Sequence, residues 1–352
     1  MSKPLSVLTL STTPDLMFFG KSGHGISRYD EVRYPVFQKL NKQMRSLFWE
    51  PALVDMSGEK RSFDKMTEAE QFVFTSNLKR QILLDSVQGR APMTVFAPYV
   101  TDPMLENCIS TWSFFETIHS ESYTHILRAI YPDPSVVVND IPNIQEIADC
   151  ATSIATAYDA LQNNGTKENL YLALMAANAL EALRFYVSFA CTFSFAERSL
   201  VEGSAKIVKL IARDEAQHLA LTQHIIKNLP KEDPEFVEIA NDCQGKALAL
   251  FEEAANQEKQ WAHYLFSKGP ILGLSEAILS DYVDYLFSRR VHAMGIAKPG
   301  QSRPSNPIPW IDKWFTSDHV QVAPQEVEIS SYLSSVALQN DLTDVDVGAL
   351  LK

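Results

Sequence analysis

The stretch Glu168–Arg198, ENLYLALMAANALEALRFYVSFACTFSFAER, decides the fold. It is apolar on nearly every face of a helix rather than along one stripe, so the spacing predicts a helix surrounded by protein on all sides. One acid, Glu181, interrupts its most apolar part, AANALEALRFYVSFACTF. An ionised carboxylate is costly to bury unless it is paired or bound to a metal, so Glu181 asks for a cation.

Helix signals continue on both sides of this stretch. Thr67 with Glu70 three residues on forms a capping box, after which EQFVFTSNLKRQILLDSVQ runs until Gly89 and Pro92, with Asp85 near its end. Pro103 suits the first turn of a second helix, which carries Glu116, His119 and Tyr123 on one face until Pro132 and Pro134 stop it. A third helix is expected from Ile144 to Leu161. The apolar stretch from about Lys167 makes a continuous fourth, and a fifth runs from Gly203 to a stop at Pro230. Further helices are expected over 235–266 and 275–295. No strand pattern of convincing length appears, so the fold class is all-α, a helical bundle over residues 1–300. Beyond Lys298 comes KPGQSRPSNPIP, then an acidic run with no Lys or Arg between Lys313 and Lys352. Residues 301–352 therefore read as a flexible acidic tail that orders on a partner.

Bulk composition sets the outer limits. With 46% hydrophobic and 21% charged residues the chain of 352 residues is globular, and its net charge of -12, with no basic block, argues against binding a phosphate backbone. The amino terminus has no signal-peptide pattern and no run of 18 apolar residues occurs, so a cytoplasmic location is expected. Cys108, Cys150, Cys191 and Cys243 lie far apart, which argues against a disulfide framework or a thiolate zinc site.

Two E-x-x-H motifs, Glu116 to His119 and Glu215 to His218, each put a carboxylate and an imidazole on one helix face within reach of one ion. One such motif carries little weight, and two gain theirs from lying in long apolar helices beside Glu181 and Asp85. Any one of these acids could instead pair with a buried Arg or Lys. Together, six such residues on four helices match the ferritin-like carboxylate arrangement, with Asp85 in place of one Glu. Oxygen-rich ligation with two imidazoles suits iron or manganese. Tyr123 is one turn beyond His119, and Phe185, Phe189 and Ile211 are spaced to face the same interior. The plainer reading of Tyr123 is a core tyrosine with its hydroxyl bonded to a ligand carboxylate, and that of Phe185, Phe189 and Ile211 is simple core packing.

The stretches LLDSVQGR, WSFFETIHSESYTHILR, NALEALRFYVSFACTFSFAER and LIARDEAQHL resemble the radical-generating small subunit of class I ribonucleotide reductases. The resemblance extends from Phe48-Trp49-Glu50-Pro51 into the tail. It implies two iron ions per chain, with Asp85, Glu116 and His119 mainly on one and Glu181, Glu215 and His218 mainly on the other. It also implies dioxygen activation, a stable radical on Tyr123, and a pocket for it formed by Phe185, Phe189 and Ile211. A relay through Trp49, Asp214, Tyr332 and Glu326 would connect that radical to a large subunit, which reduces ribonucleotides to deoxyribonucleotides and binds the tail ending DVDVGALLK. A homodimer is implied as well. Alternatives are a di-iron oxidase or oxygenase on the same bundle, an iron-storage ferroxidase, or a scaffold without metal.

Overall fold

Thr67 accepts from the Glu70 amide at 3.3 Å while the Glu70 carboxylate accepts from the Thr67 amide at 2.9 Å, and this capping box starts one of the central helices. Asp102 does the same for another, its Oδ1 accepting from the amides of Met104 at 3.0 Å and Leu105 at 2.9 Å, with Pro103 at the first helical position. These caps belong to a computed structural model that describes residues 16–20 and 26–315. Tyr332 and Glu326 lie outside the described residues.

In chain order the helices are α1 (Pro35–Ser46), α2 (Glu59–Phe63), α3 (Glu68–Gln88), α4 (Pro103–Ile130), α5 (Ser135–Val138), α6 (Gln145–Asn163) and α7 (Lys167–Ala179), followed by α8 (Tyr186–Ala196), α9 (Glu202–Glu232), α10 (Glu235–Asp242), α11 (Gln244–Leu265), α12 (Glu276–Ala293) and α13 (Asp312–Phe315). Among the described residues β pairing is limited to isolated bridges such as Phe18 with Val100. The all-α reading holds. Helices α3, α4, α8 and α9 enclose the centre: α3 packs against α4 and α8, and α9 against α4 and α8. The outer layer is formed by α1 against α4, α6 against α3 and α7, and α11 against α7 and α12.

Four expectations are corrected. The apolar stretch is not one continuous α-helix, because a π-helical turn, Leu180–Arg184, separates α7 from α8 and carries Glu181. By length and composition this stretch could cross a membrane, yet 94% of its most apolar window is buried inside the protein, so it is a core helix. Pro230 does not stop α9, which runs to Glu232. A proline this close to the end forfeits only one helical hydrogen bond, and Glu232 pins the last turn by accepting from the Met17 amide at 2.8 Å and from the Tyr34 hydroxyl. The helix expected over 235–266 is broken at Cys243 into α10 and α11.

The fourth correction moves the start of the tail. Residues 301–315 pack on the body: Ile308 and Ile311 are buried, and Trp314 stacks on Phe193 with ring centroids 4.7 Å apart while donating to Glu197 at 2.8 Å. Their Pro- and Ser-rich composition hid three well-placed apolar anchors. Helix α1 was also passed over, although Phe37, Leu40 and Met44 recur at helical spacing and are all buried.

Candidate metal centre

Each helix of the inner layer delivers its residues by periodicity. Asp85 comes from the last turn of α3, Glu116 and His119 from the middle of α4, and Glu215 and His218 from the middle of α9. Glu181 comes from the π-helical turn, a local departure from α geometry that recurs at functional sites. All six side chains are fully buried. Gly89 lets α3 approach α4 here, since a Cβ at that position would sit 3.3 Å from the Cβ of Glu116 and 2.9 Å from the carbonyl of Asp85.

The six residues form two overlapping groups. Asp85, Glu116, His119 and Glu215 make one, and Glu116, Glu181, Glu215 and His218 the other, each with one donor atom per residue lying within 4.8 Å of the rest. Glu116 and Glu215 belong to both, as carboxylates shared between two ions would. His218 Nδ1 lies 3.0 Å from Glu215 Oε2 and 3.3 Å from Glu116 Oε1, and His119 Nδ1 lies 3.2 Å from Glu215 Oε1. On its other side His119 Nε2 faces Asp214 Oδ2 at 3.3 Å, and that oxygen accepts from Trp49 Nε1 at 2.7 Å.

Whether these acids are paired with bases is answered by their neighbours. No Lys or Arg among the described residues forms an ion pair with Asp85, Glu116, Glu181 or Glu215. Elsewhere in the core the chain does bury such a pair, Arg80 with Glu258, both fully enclosed. At the centre, by contrast, both oxygens of Asp85, Oε2 of Glu116, Oε2 of Glu181, Oε1 of Glu215 and Nδ1 of His119 are buried without a hydrogen-bond partner. So many orphaned donor atoms in one place are costly unless divalent cations take them up, so the residues fit a pair of metal ions. Four carboxylates and two imidazoles form the donor set that iron and manganese accept.

Tyr123, one turn along α4, is fully buried, and its hydroxyl faces the Asp85 carboxylate. Phe185, Phe189 and Ile211 are also fully enclosed, and the two phenylalanine rings stack with centroids 5.9 Å apart. Several residues around the ligands were not singled out from the sequence. Trp112 donates to Glu116 Oε1 at 2.9 Å, and Gln88 donates to Glu181 Oε1 at 2.7 Å. Trp112 sits four residues before Glu116 and Gln88 three after Asp85, so helical spacing from the ligands would have pointed to both.

Residues 27–307 match the family model described as "Ribonucleotide reductase, small chain". The chain belongs to the ribonucleotide reductase small-chain family. It is 48% identical over 357 residues to the ribonucleoside-diphosphate reductase subunit beta of Haemophilus influenzae, covering 94% of each chain. It is 49% identical over 343 residues to ribonucleoside-diphosphate reductase 1 subunit beta of Escherichia coli O157:H7, covering 90% of this chain and 91% of that one. The fold agrees with the ribonucleotide reductase R2 subunit from Clostridium botulinum, at a TM-score of 0.84 and 23% identity over 90% of this chain and 98% of that one. It agrees also with the dimanganese(II)-NrdF of Streptococcus sanguinis, at a TM-score of 0.71 and 16% identity over 82% of this chain and 98% of that one. The protein is the small subunit of a class I ribonucleoside-diphosphate reductase, whose holoenzyme is an oxidoreductase and works with a large subunit.

Electrostatics at the small subunit's centre follow from burial. Burial, and then the neighbouring carboxylates, push Asp85 and Glu181 well above the usual carboxylate range. Burial would lower the imidazoles, but the acids around them win: His119 is raised well above its ordinary value and His218 to about 9. Glu215 is held below the usual range because the adjacent Glu181 acid and the two imidazoles outweigh its burial. In the metal-free chain His218 therefore holds a proton at neutral pH, the shifts of Asp85, Glu181 and His119 run toward their protonated forms as well, and a divalent ion must displace protons as it binds. Affinity for the ions accordingly rises with pH and weakens on acidification. Titration with Mn(II) in buffers of different ionisation enthalpy should show protons released on binding, and a pH-independent affinity would contradict this account.

Proposed function

We propose that the centre holds two iron ions per chain, with manganese accepted by the same donors, and that its purpose is a stable radical on Tyr123. The observation that carries this reading is the position of that phenol: fully buried and facing Asp85. Bound in reduced form, the ion pair would supply the oxidising power of activated dioxygen. Tyr123 would give up one electron and its phenolic proton, and the carboxylate of Asp85 is the base beside that proton. Burial and the acids nearby raise the Tyr123 pKa, so the side chain is a neutral phenol until it is oxidised. Phe185, Phe189 and Ile211 offer no abstractable polar hydrogen and exclude water, which favours a long-lived radical.

Trp49, Asp214 and His119 form a hydrogen-bonded line running outward from the centre, which supports their reading as a relay. On this proposal the relay continues through Tyr332 and Glu326 on the tail, which docks on the large subunit, where ribonucleotides become deoxyribonucleotides and thioredoxin- or glutaredoxin-type thiols restore the enzyme. Cytoplasmic location is part of the same reading. So is a homodimer, supported by an apolar face on α4: Phe114, 49% exposed, stacks on Phe48 at 5.9 Å near Met93, itself 45% exposed.

Electron paramagnetic resonance of metal-loaded protein exposed to dioxygen should show a tyrosyl signal that disappears in Tyr123→Phe, and a signal that persists in this variant excludes Tyr123. Tyr332→Phe should keep the full radical signal yet abolish turnover with the large subunit, whereas normal turnover would limit the tail to docking. Sedimentation should give a dimer for the native chain and a monomer for Phe114→Asp, and an unchanged dimer would place the interface elsewhere.

A further inference from the structure

Glu181 is held from outside the centre by a line of hydrogen bonds. Its Oε1 accepts from Gln88 Nε2 at 2.7 Å, and Gln88 Oε1 accepts from the Tyr158 hydroxyl at 2.6 Å. Gln88 and Glu181 are fully enclosed and Tyr158 is 3% exposed. Chemistry fixes the direction of this line. With an ion bound Glu181 is ionised and only accepts, so the amide turns its NH2 toward Glu181 and its carbonyl toward Tyr158, and the phenol then donates.

Both ends of the line are braced. The Tyr158 ring stands edge-on to Phe96 with centroids 5.8 Å apart, and Phe96 stacks on Trp112 at 6.1 Å. Phe96 closes a second π-helical segment, Pro92–Phe96, directly after α3. The turn that carries Glu181 is tied to α6 and α11 by Arg184, whose guanidinium reaches Cys150 Sγ at 2.9 Å and Ser153 Oγ at 3.1 Å and bonds to Gln257.

We propose that Gln88 and Tyr158 are positioning residues for one of the two ions: they occupy Oε1 of Glu181 and leave Oε2 as the oxygen offered to the metal. That Oε2 is buried and has no hydrogen-bond partner. A glutamate side chain has enough rotamer freedom to turn its carboxylate, and fixing it costs entropy that the Gln88 bond has already met before an ion arrives. The effect is one-sided, because Glu181 belongs to the group with Glu116, Glu215 and His218 and not to the group with Asp85 and His119. The proposal rests on the reading of the centre as a two-ion site.

The test is a Mn(II) titration of the metal-free, full-length chain followed by calorimetry, comparing the native protein with Gln88→Leu and Tyr158→Phe. The native chain should take up two ions. Gln88→Leu should weaken one of them about 10- to 100-fold, the usual effect of removing a residue that orients a ligand, and leave the other unchanged. Tyr158→Phe keeps the ring and the packing and should weaken the same ion by a smaller factor, with an unaltered circular dichroism spectrum. Native affinity for both ions in Tyr158→Phe and in Gln88→Leu overturns the proposal. So does equal weakening of both ions, which is what loss of general packing would give. A native chain that binds no Mn(II) overturns the two-ion reading and this proposal with it.

Discussion

Four carboxylates are enclosed at the middle of a helical bundle with two imidazoles and, among the described residues, no guanidinium or ammonium partner, and the rest of the structure is arranged around that unbalanced charge. An isolated buried anion is expensive, and a cluster of them more so, since each raises the cost of ionising the next. In the metal-free chain burial and the neighbouring acids shift Asp85, Glu181, His119 and His218 toward their protonated forms, which lowers this cost. Divalent cations meet it better. Folding and metal uptake are thereby coupled through the same donor atoms.

The bundle is built so that these donors cannot drift apart. Glu116 and His119 are locked together on α4, and Glu215 and His218 on α9, by the three-residue spacing of a helix face. The spacing between helices is set by the apolar segments on which the acids sit, and by Gly89, where a side chain would force α3 away from Glu116. A further ring of residues bonds to these side chains: Asp214, itself held by Trp49, to His119, Trp112 to Glu116, and Gln88 to Glu181. Such a shell lets the chain present donors in a geometry chosen before an ion arrives.

The buried Arg80–Glu258 pair shows how the same core treats an ordinary charge. Arg80 bonds to Glu258 through both Nη1, at 3.1 Å, and Nη2, and it also contacts Cys150 and the face of Trp261. There the anion has its base, and both Glu258 oxygens accept from the guanidinium. Among the described residues no Lys or Arg pairs with Asp85 or Glu181, and Arg184, on the same turn as Glu181, bonds instead to Cys150, Ser153 and Gln257, which distinguishes a site from a structural ion pair. Neither reading could be chosen for a single acid from its neighbours in the chain.

The sequence by itself determined the helical class, most of the helices around the centre and the six residues that the structure brings together there, because helical periodicity and the cost of an acid in an apolar segment are local properties. Trp49 and Asp214 could be named only through family resemblance, since their pairing spans 165 residues. Only the tertiary structure decided that Glu181 sits on a π-helical turn and that α9 continues past Pro230. It alone placed residues 301–315 on the body and brought Gln88 and Tyr158 behind Glu181. Each of these depends on partners far away in the chain: a π turn is favoured by what it lets side chains reach, and a proline or a polar segment is tolerated when distant contacts compensate for it. Tertiary context overrides local propensity at these places, and the way the centre is held in position is decided there.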